Sequence, residues 1–185
     1  KLELDLQPTV LSELLESISE VIRFDLQQKQ LKLEISVDSE IPAVVLLDPI
    51  RVKQILLNLL SNAIKFTVTG TIKLKLKFKR RINAQTLQMR FSVIDTGIGI
   101  LPINQKKIFE PFLQEDNSTT RKYGGTGLGL TITSQLLQLM ESKLKVSSEP
   151  NEGSKFYFDL FVKENNEFEF ASDWSDNSVQ AYDTS

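Results

Sequence analysis

Asp48-Pro49-Ile50-Arg51-Val52-Lys53-Gln54-Ile55-Leu56-Leu57-Asn58-Leu59-Leu60-Ser61-Asn62-Ala63-Ile64-Lys65-Phe66 is the stretch around which the rest of the chain arranges itself. Asp48 ahead of Pro49 supplies a helix cap and a first-turn proline. Val52, Ile55, Leu56, Leu59, Leu60 and Ala63 recur at helical spacing and form a buried stripe. Asn58 and Asn62 are four residues apart, so their amides share one helix face, and Lys65 lies on that side too. Asparagine is a modest helix former and has no reason of its own to occur twice in so leucine-rich a helix. Its amide oxygen is a good hard ligand for Mg²⁺. Taken alone, the pair is read at least as well as two exposed or capping asparagines.

Beyond this helix Gly70 breaks the chain. Ile72, Leu74, Leu76 and Phe78 then alternate with Lys73, Lys75, Lys77 and Lys79, a strand with one buried face and one face solvated by lysines. Leu87, Met89, Phe91 and Val93 alternate as its hairpin partner. A loop-rich stretch from Asp95 to Gly125 follows, with a short helix expected over Gln105–Phe109. Gly127 to Met140 is helical again, and Leu144 with Val146, then Phe156, Phe158 and Leu160, give two final strands. Before the central helix, Leu2, Leu4 and Leu6 alternate as a strand and Pro8 fits a helix start. Val10, Leu11, Leu14, Leu15, Ile18, Val21 and Ile22 give that helix an apolar face. Leu31, Leu33, Ile35 and Val37 alternate as a strand, and Val44 to Leu47 read as another or as an extended lead-in to the central helix. The mixed order predicts an α+β fold with helices layered on one face of one mixed sheet.

The 185 residues suit one domain, with 41% hydrophobic and 25% charged residues. There is no cysteine and no histidine, which excludes disulfides, thiolate or imidazole metal sites, imidazole bases and any phosphohistidine in this chain. No apolar run approaches the roughly 20 residues of a membrane-spanning helix. The chain opens on Lys1, as expected of a piece of a longer protein. Charge is divided along the chain. Six acids (Glu164, Glu167, Glu169, Asp173, Asp176 and Asp183) follow the last basic residue, Lys163, so residues 1–163 hold 18 acids against 22 bases. A mildly basic body suits an anionic ligand. No dense basic stripe with interleaved aromatics points to nucleic acid. Residues 164–185 read as an acidic tail or linker. The alternation of Phe168 and Phe170 with glutamates also suits an added edge strand pairing back onto the last one.

Two further clusters carry chemistry. Asp95-Thr96-Gly97-Ile98-Gly99-Ile100 directly follows a strand. Its glycines permit sharp turning and close backbone approach, and a carboxylate at a strand end can accept a hydrogen bond from an exocyclic amine such as that of adenine. An ordinary turn has the same residue types. Gly124-Gly125-Thr126-Gly127-Leu128-Gly129 runs straight into a helix. Backbone N–H groups and the helix dipole at such a start can cradle phosphates, and Arg121 and Lys122 lie just upstream. No Lys-Ser or Lys-Thr pair follows, so this is not a Walker loop.

In order and spacing the three clusters resemble the catalytic, ATP-binding domain of sensor histidine kinases in the GHKL ATPase superfamily, over about residues 1–163. The N-box resembles Asn58 to Phe66, the G1 box Asp95 to Ile100, the F box Phe109-Glu110-Pro111-Phe112 and the G2 box Gly125 to Leu130. The run Thr119 to Leu130 is similar to that of hybrid-type kinases. The resemblance implies a Bergerat-type two-layer α/β sandwich with a flexible ATP lid over residues 101–124, anchored by Phe109 and Phe112. It implies ATP and Mg²⁺ as cofactors. Asn62 would be the Mg²⁺ ligand, supported by Asn58, with Lys65 reaching phosphate. Phe66, Ile100 and Leu128 would wall the nucleotide, Asp95 would read the adenine amine, and Gly97 and Gly99 would shape the floor. Gly125, Thr126, Gly127, Gly129, Arg121 and Lys122 would meet the phosphates. Implied partners are the histidine-bearing dimerisation domain of the same kinase and a response regulator receiver domain. The parent kinase would be a homodimer, and this part of it cytoplasmic without direct membrane contact.

Departures from the family pattern are local. Gln114 stands where many members have a phosphate-binding arginine, which leaves Arg121 or Lys122 as substitutes. Glu141 and Ser142 replace a Gly-Gly pair after the last helix, altering only a turn. Two rivals are set apart by residues. Hydrolysing relatives such as gyrase and the heat-shock chaperones have a glutamate base where Asn58 stands. The intact Asn62, Asp95 and glycines argue against a non-catalytic docking module that uses nucleotide structurally, if at all.

Overall fold

A computed structural model of the protein describes residues 3–109 and 128–165, together with the backbone of 180–182. In chain order the elements are β1 (Gln7–Val10), α1 (Leu11–Lys29), β2 (Lys32–Val37), β3 (Val44–Leu47), α2 (Pro49–Phe66), β4 (Thr71–Arg81) and β5 (Thr86–Asp95). A 3-10 turn at Lys107–Phe109, α3 (Gly129–Leu139), β6 (Lys145–Glu149), β7 (Gly153–Glu164) and β8 (Gln180–Tyr182) follow. The strands form one sheet in the order β1-β3-β7-β5-β4-β2-β8, with β6 also paired to β7. β2 and β4 are parallel, while β4–β5 and β5–β7 are antiparallel. The sheet is mixed, with the helices on one face, as the α+β reading expects.

The alternation in β4, β5 and β7 builds the layers. Ile72, Leu74 and Leu76 are buried, as are Leu87, Met89, Phe91 and Val93 and, on β7, Phe156, Phe158, Leu160 and Val162. Phe91 stacks on Phe158 with ring centroids 5.0 Å apart, a contact worth about 0.5–1.5 kcal/mol beyond its buried area. On the opposite face Lys73 meets Glu34 at 2.8 Å. There Arg90 grips Asp159 through two hydrogen bonds of 2.6 and 2.8 Å. Against the helix-facing side lie the stripe Val52, Ile55, Leu56, Leu59, Leu60 and Ala63 of α2, and Leu11, Leu14, Leu15, Ile18, Ile22 and Leu26 of α1, all buried. Asp48 caps α2 as its position predicts, Oδ1 accepting the Arg51 N–H at 3.0 Å. α1 stops where Gln30 turns left-handed at φ 54. The Leu31 N–H then reaches Leu26 O at 3.0 Å, a Schellman closure sealed by two buried leucines.

The start of the chain differs from its pattern. Among the described residues the first strand is Gln7–Val10; Leu4 and Leu6 lie before it, Leu6 is exposed, and Leu2 lies outside the described residues. Pro8 lies inside that strand rather than opening a helix. Among the described residues β1 pairs only with β3, register Gln7↔Leu47 to Val10↔Val44, and an edge strand tolerates a proline. Val10 therefore precedes the helix, and Val21 faces outward off the stripe. Gln180–Tyr182 pair with β2 at the far edge of the sheet. The alternating Phe168 and Phe170 lie outside the described residues. Among the described residues no helix is long and apolar enough to cross a membrane.

Candidate nucleotide site

The site is assembled along α2. At its end Phe66 O accepts the Ile98 N–H at 3.3 Å, which ties the Asp95–Ile100 loop to the helix. Gly97 is packed so closely there that a Cβ would collide with Phe66 O and stand 2.8 Å from Asp95 Oδ1. Lys29 of α1 holds the same helix end, its Nζ donating to Ile64 O at 2.6 Å and Lys65 O at 3.1 Å. A cation at that point complements the negative end of the helix dipole. Thr67 closes the helix, its buried hydroxyl donating to Ala63 O at 2.7 Å. Lys65 Nζ lies 4.9 Å from the Phe66 ring centroid, and burial lowers its pKa.

Asp95 ends β5 in register with Ile72 and Ser154. The alternation that buries Phe91 and Val93 carries its side chain to the helix face, where the residue is only 6% exposed. Oδ1 accepts the Gly97 N–H at 2.8 Å. Burial raises the carboxyl pKa above its ordinary value, against the opposing pull of the Gly97 and Ser154 backbone N–H groups. The loop beyond is braced by residues that the sequence does not single out. Ile100 N–H donates to Ser148 Oγ at 2.8 Å. Gln105 Nε2 donates to Ile100 O at 3.1 Å and Ser148 O at 2.7 Å. Gly99 has φ 69, and a Cβ there would meet Glu149 O, so the loop passes β6 with no room for a side chain.

In the middle of α2, Asn58 meets the start of α3. Its Nδ2 donates to Thr133 Oγ1 at 2.6 Å, and a Cβ on Gly129 would collide with its Oδ1. Leu128 precedes the helix with no side-chain cap on the first turn, and Ile132 N–H closes onto Leu128 O at 2.9 Å. The Asn62 amide is half-buried one turn beyond Asn58, with no hydrogen-bond partner among the described residues. The structure thus brings Phe66, Asp95 and Gly97 into one contact set and Asn58 and Gly129 into another, joined by α2, while Gly99 packs against β6 at Glu149. Phe109 ends the 3-10 turn and packs on the core. Arg121, Lys122, Gly125, Thr126, Gly127, Phe112 and Gln114 lie outside the described residues. Thr133 is a functional candidate that sequence reasoning missed. Its only signal was a polar side chain among leucines, four residues after Gly129.

The family model for histidine kinase-, DNA gyrase B- and HSP90-like ATPases matches residues 47–164. The signal transduction histidine-protein kinase BarA of Escherichia coli K12 is 38% identical over 160 residues, 86% of this chain and 17% of that protein. Sensor histidine kinase GacS of Pseudomonas protegens is 41% identical over 160 residues, again 86% of this chain and 17% of that protein. The autoinducer 2 sensor kinase/phosphatase LuxQ of Vibrio cholerae is 43% identical over 154 residues, 83% of this chain and 18% of that protein. The chain therefore spans less than a fifth of these relatives' length. Full-length ShkA in complex with AMPPNP superposes with a TM-score of 0.74 at 34% identity, over 88% of this chain and 32% of that one. The catalytic domain of histidine kinase ThkA gives 0.68 at 26% identity, over 84% of this chain and 95% of that one. The chain belongs to the histidine kinase-, DNA gyrase B- and HSP90-like ATPase family, as a catalytic ATP-binding domain of the sensor histidine kinase kind.

Proposed function

We propose that this chain binds Mg-ATP between α2, the Asp95 loop and the start of α3, and presents the γ-phosphoryl to a histidine on a separate dimerisation domain of the same kinase. The observation that carries this reading is the start of α3 seated directly against α2 at Asn58, one turn from the Asn62 amide, with neither the helix start capped by a side chain nor the amide partnered among the described residues. An anion at that helix start meets free N–H donors and the positive end of the dipole. The donor set fits Mg²⁺ on a nucleotide. Among the described residues no group of three or more His, Cys, Asp or Glu could hold a metal alone. Asn62 would give one amide oxygen, with phosphate and water oxygens completing the shell. Bound there, the ion would supply charge neutralisation for phosphoryl transfer. Lys65 adds a cation at the same helix end, and Asp95 is placed to accept the adenine amine. Contacts from Arg121, Lys122, Gly125, Thr126 and Gly127 rest on the sequence alone.

The chain contains no histidine, so the acceptor lies on another domain. Asn58 is an amide, which takes up no proton at neutral pH, and its nitrogen already donates to Thr133. It cannot serve as the base that a water-activating ATPase needs. Catalysis here is by positioning and charge stabilisation. The histidine nitrogen attacks the γ-phosphorus, the bond to the β-phosphate oxygen breaks, and ADP leaves. A homodimeric, cytoplasmic kinase portion passing its phosphoryl group to a response regulator receiver domain completes the reading. ThkA has been solved in complex with the response regulator TrrA. Incubation with γ-labelled ATP and the dimerisation domain of BarA or GacS tests the proposal. Acid-labile, base-stable label on the dimerisation domain and none on this chain is expected. Label that reaches neither dimerisation domain while ATP is hydrolysed to free phosphate would contradict it.

A further inference from the structure

A part-buried hydrogen bond joins the two helices of the site, beside the contacts assigned to the nucleotide. Asn58 Nδ2 donates to Thr133 Oγ1 at 2.6 Å across 75 positions of sequence. Thr133 is 1% exposed and lies on the buried stripe of α3 beside Leu136 and Leu137. A valine has the same branched shape and would fill that place without a polar atom. A buried hydroxyl is costly unless it is hydrogen-bonded, and this one is matched to the Asn58 amide. The other end of the same amide is fixed as well. Its oxygen faces Gly129 at a separation that leaves no room for a Cβ.

The spacing gives this bond its purpose. Thr133 follows Gly129 by four residues on α3, and Asn58 precedes Asn62 by four on α2. Each partner is therefore one turn from a group assigned to the phosphates or the metal, on the same face of its own helix. The field and the free N–H groups of a helix start act only over its first turn, and such sites work only when held within about 0.5 Å of the productive geometry. Resting on the proposed nucleotide reading, we infer that Thr133 is a positioning residue: by holding the Asn58 amide against α3 it sets the distance between the phosphate-binding helix start and the metal-binding helix. Adenine recognition at Asp95 stands on β5 and the end of α2 and does not depend on this bond.

Calorimetric titration of the whole chain with Mg-ADP and, separately, with adenosine tests the inference. Thr133→Val is expected to weaken Mg-ADP about tenfold, the equivalent of ~1.4 kcal/mol, and to leave adenosine unchanged. Thr133→Ser, which restores the acceptor oxygen, is expected to bring Mg-ADP affinity back. Thr133→Ala removes the same acceptor oxygen with a good helix former and is expected to give the same selective loss, which keeps the test available should Thr133→Val fail to fold. Wild-type affinity for Mg-ADP in folded Thr133→Val, or an equal loss of both ligands in the two variants, would overturn the positioning role. So would a failure of serine to rescue. Wild-type protein that binds neither ligand would overturn the nucleotide reading itself, and the positioning role with it.

Discussion

Asp95 Oδ1 accepts the Gly97 backbone N–H at 2.8 Å from a carboxylate that is 6% exposed at the end of β5. This contact shapes the loop and pulls the carboxyl pKa down, but burial outweighs it and the Ser154 N–H, so the pKa stands above its ordinary value. Stability that depends on this group is then fully present below the ordinary value of 3.8 and is lost as pH rises through the folded-state pKa. Asp95→Asn removes the buried charge. Thermal melts between pH 3.5 and 7.5 should show the variant at least as stable as wild type at neutral pH, with a flatter pH dependence.

The same substitution should weaken adenine nucleotide binding by about 1.5–3 kcal/mol, the typical worth of a hydrogen bond to a charged acceptor. Calorimetric titration of the folded variant measures it. Unchanged affinity would mean that Asp95 only shapes the turn.

Gly97→Ala should damage fold and site together. The added methyl would collide with Phe66 O and crowd Asp95 Oδ1, so the loop must lift away from the end of α2. Overpacking of this kind costs about 1–3 kcal/mol. Chemical denaturation checks the stability loss, and a parallel nucleotide titration should show weaker binding. A variant as stable as wild type would show that the loop has slack at this point.

The central layers were legible because each signal is local and repeated. Asp48 and Pro49 mark where α2 begins, its stripe has helical spacing, and the lysine alternation of β4 assigns its two faces residue by residue. The chain start was misread because Leu2, Leu4 and Leu6 alternate as well as any strand, whereas pairing with β3 chooses Gln7–Val10. Partners are what a single sequence hides. Ser148 and Gln105 brace the Asp95 loop from β6 and from a turn 43 positions earlier, and Thr133 meets Asn58 across the helix layer. Nothing in their own neighbourhoods marks them, since each is an ordinary polar residue until the fold brings its partner near.

Glu141 replaces the first of the two glycines expected after α3, and it adopts φ 55. It is the left-handed residue of a Schellman closure, with Ser142 N–H reaching Leu137 O at 2.8 Å and Glu141 N–H reaching Gln138 O at 3.1 Å. A residue with a Cβ pays about 1–2 kcal/mol for that conformation, partly offset by the greater unfolded-state entropy of glycine. Glu141→Gly should therefore stabilise the chain by about 0.5–1 kcal/mol and raise Tm by roughly 1–4 °C. A lower Tm would mean that the glutamate side chain contributes more than its backbone costs.

The central claim, a Mg-nucleotide site built along α2, is tested most directly by titrating the chain with ATP in the presence and absence of Mg²⁺, beside Asn62→Ala and Asn58→Ala. The account predicts one-to-one binding that tightens with Mg²⁺ in wild type. That response should vanish in Asn62→Ala and be reduced less in Asn58→Ala, while both variants stay folded because alanine is the better helix former. An Asn62→Ala protein that binds ATP with the full wild-type response to Mg²⁺ would contradict it.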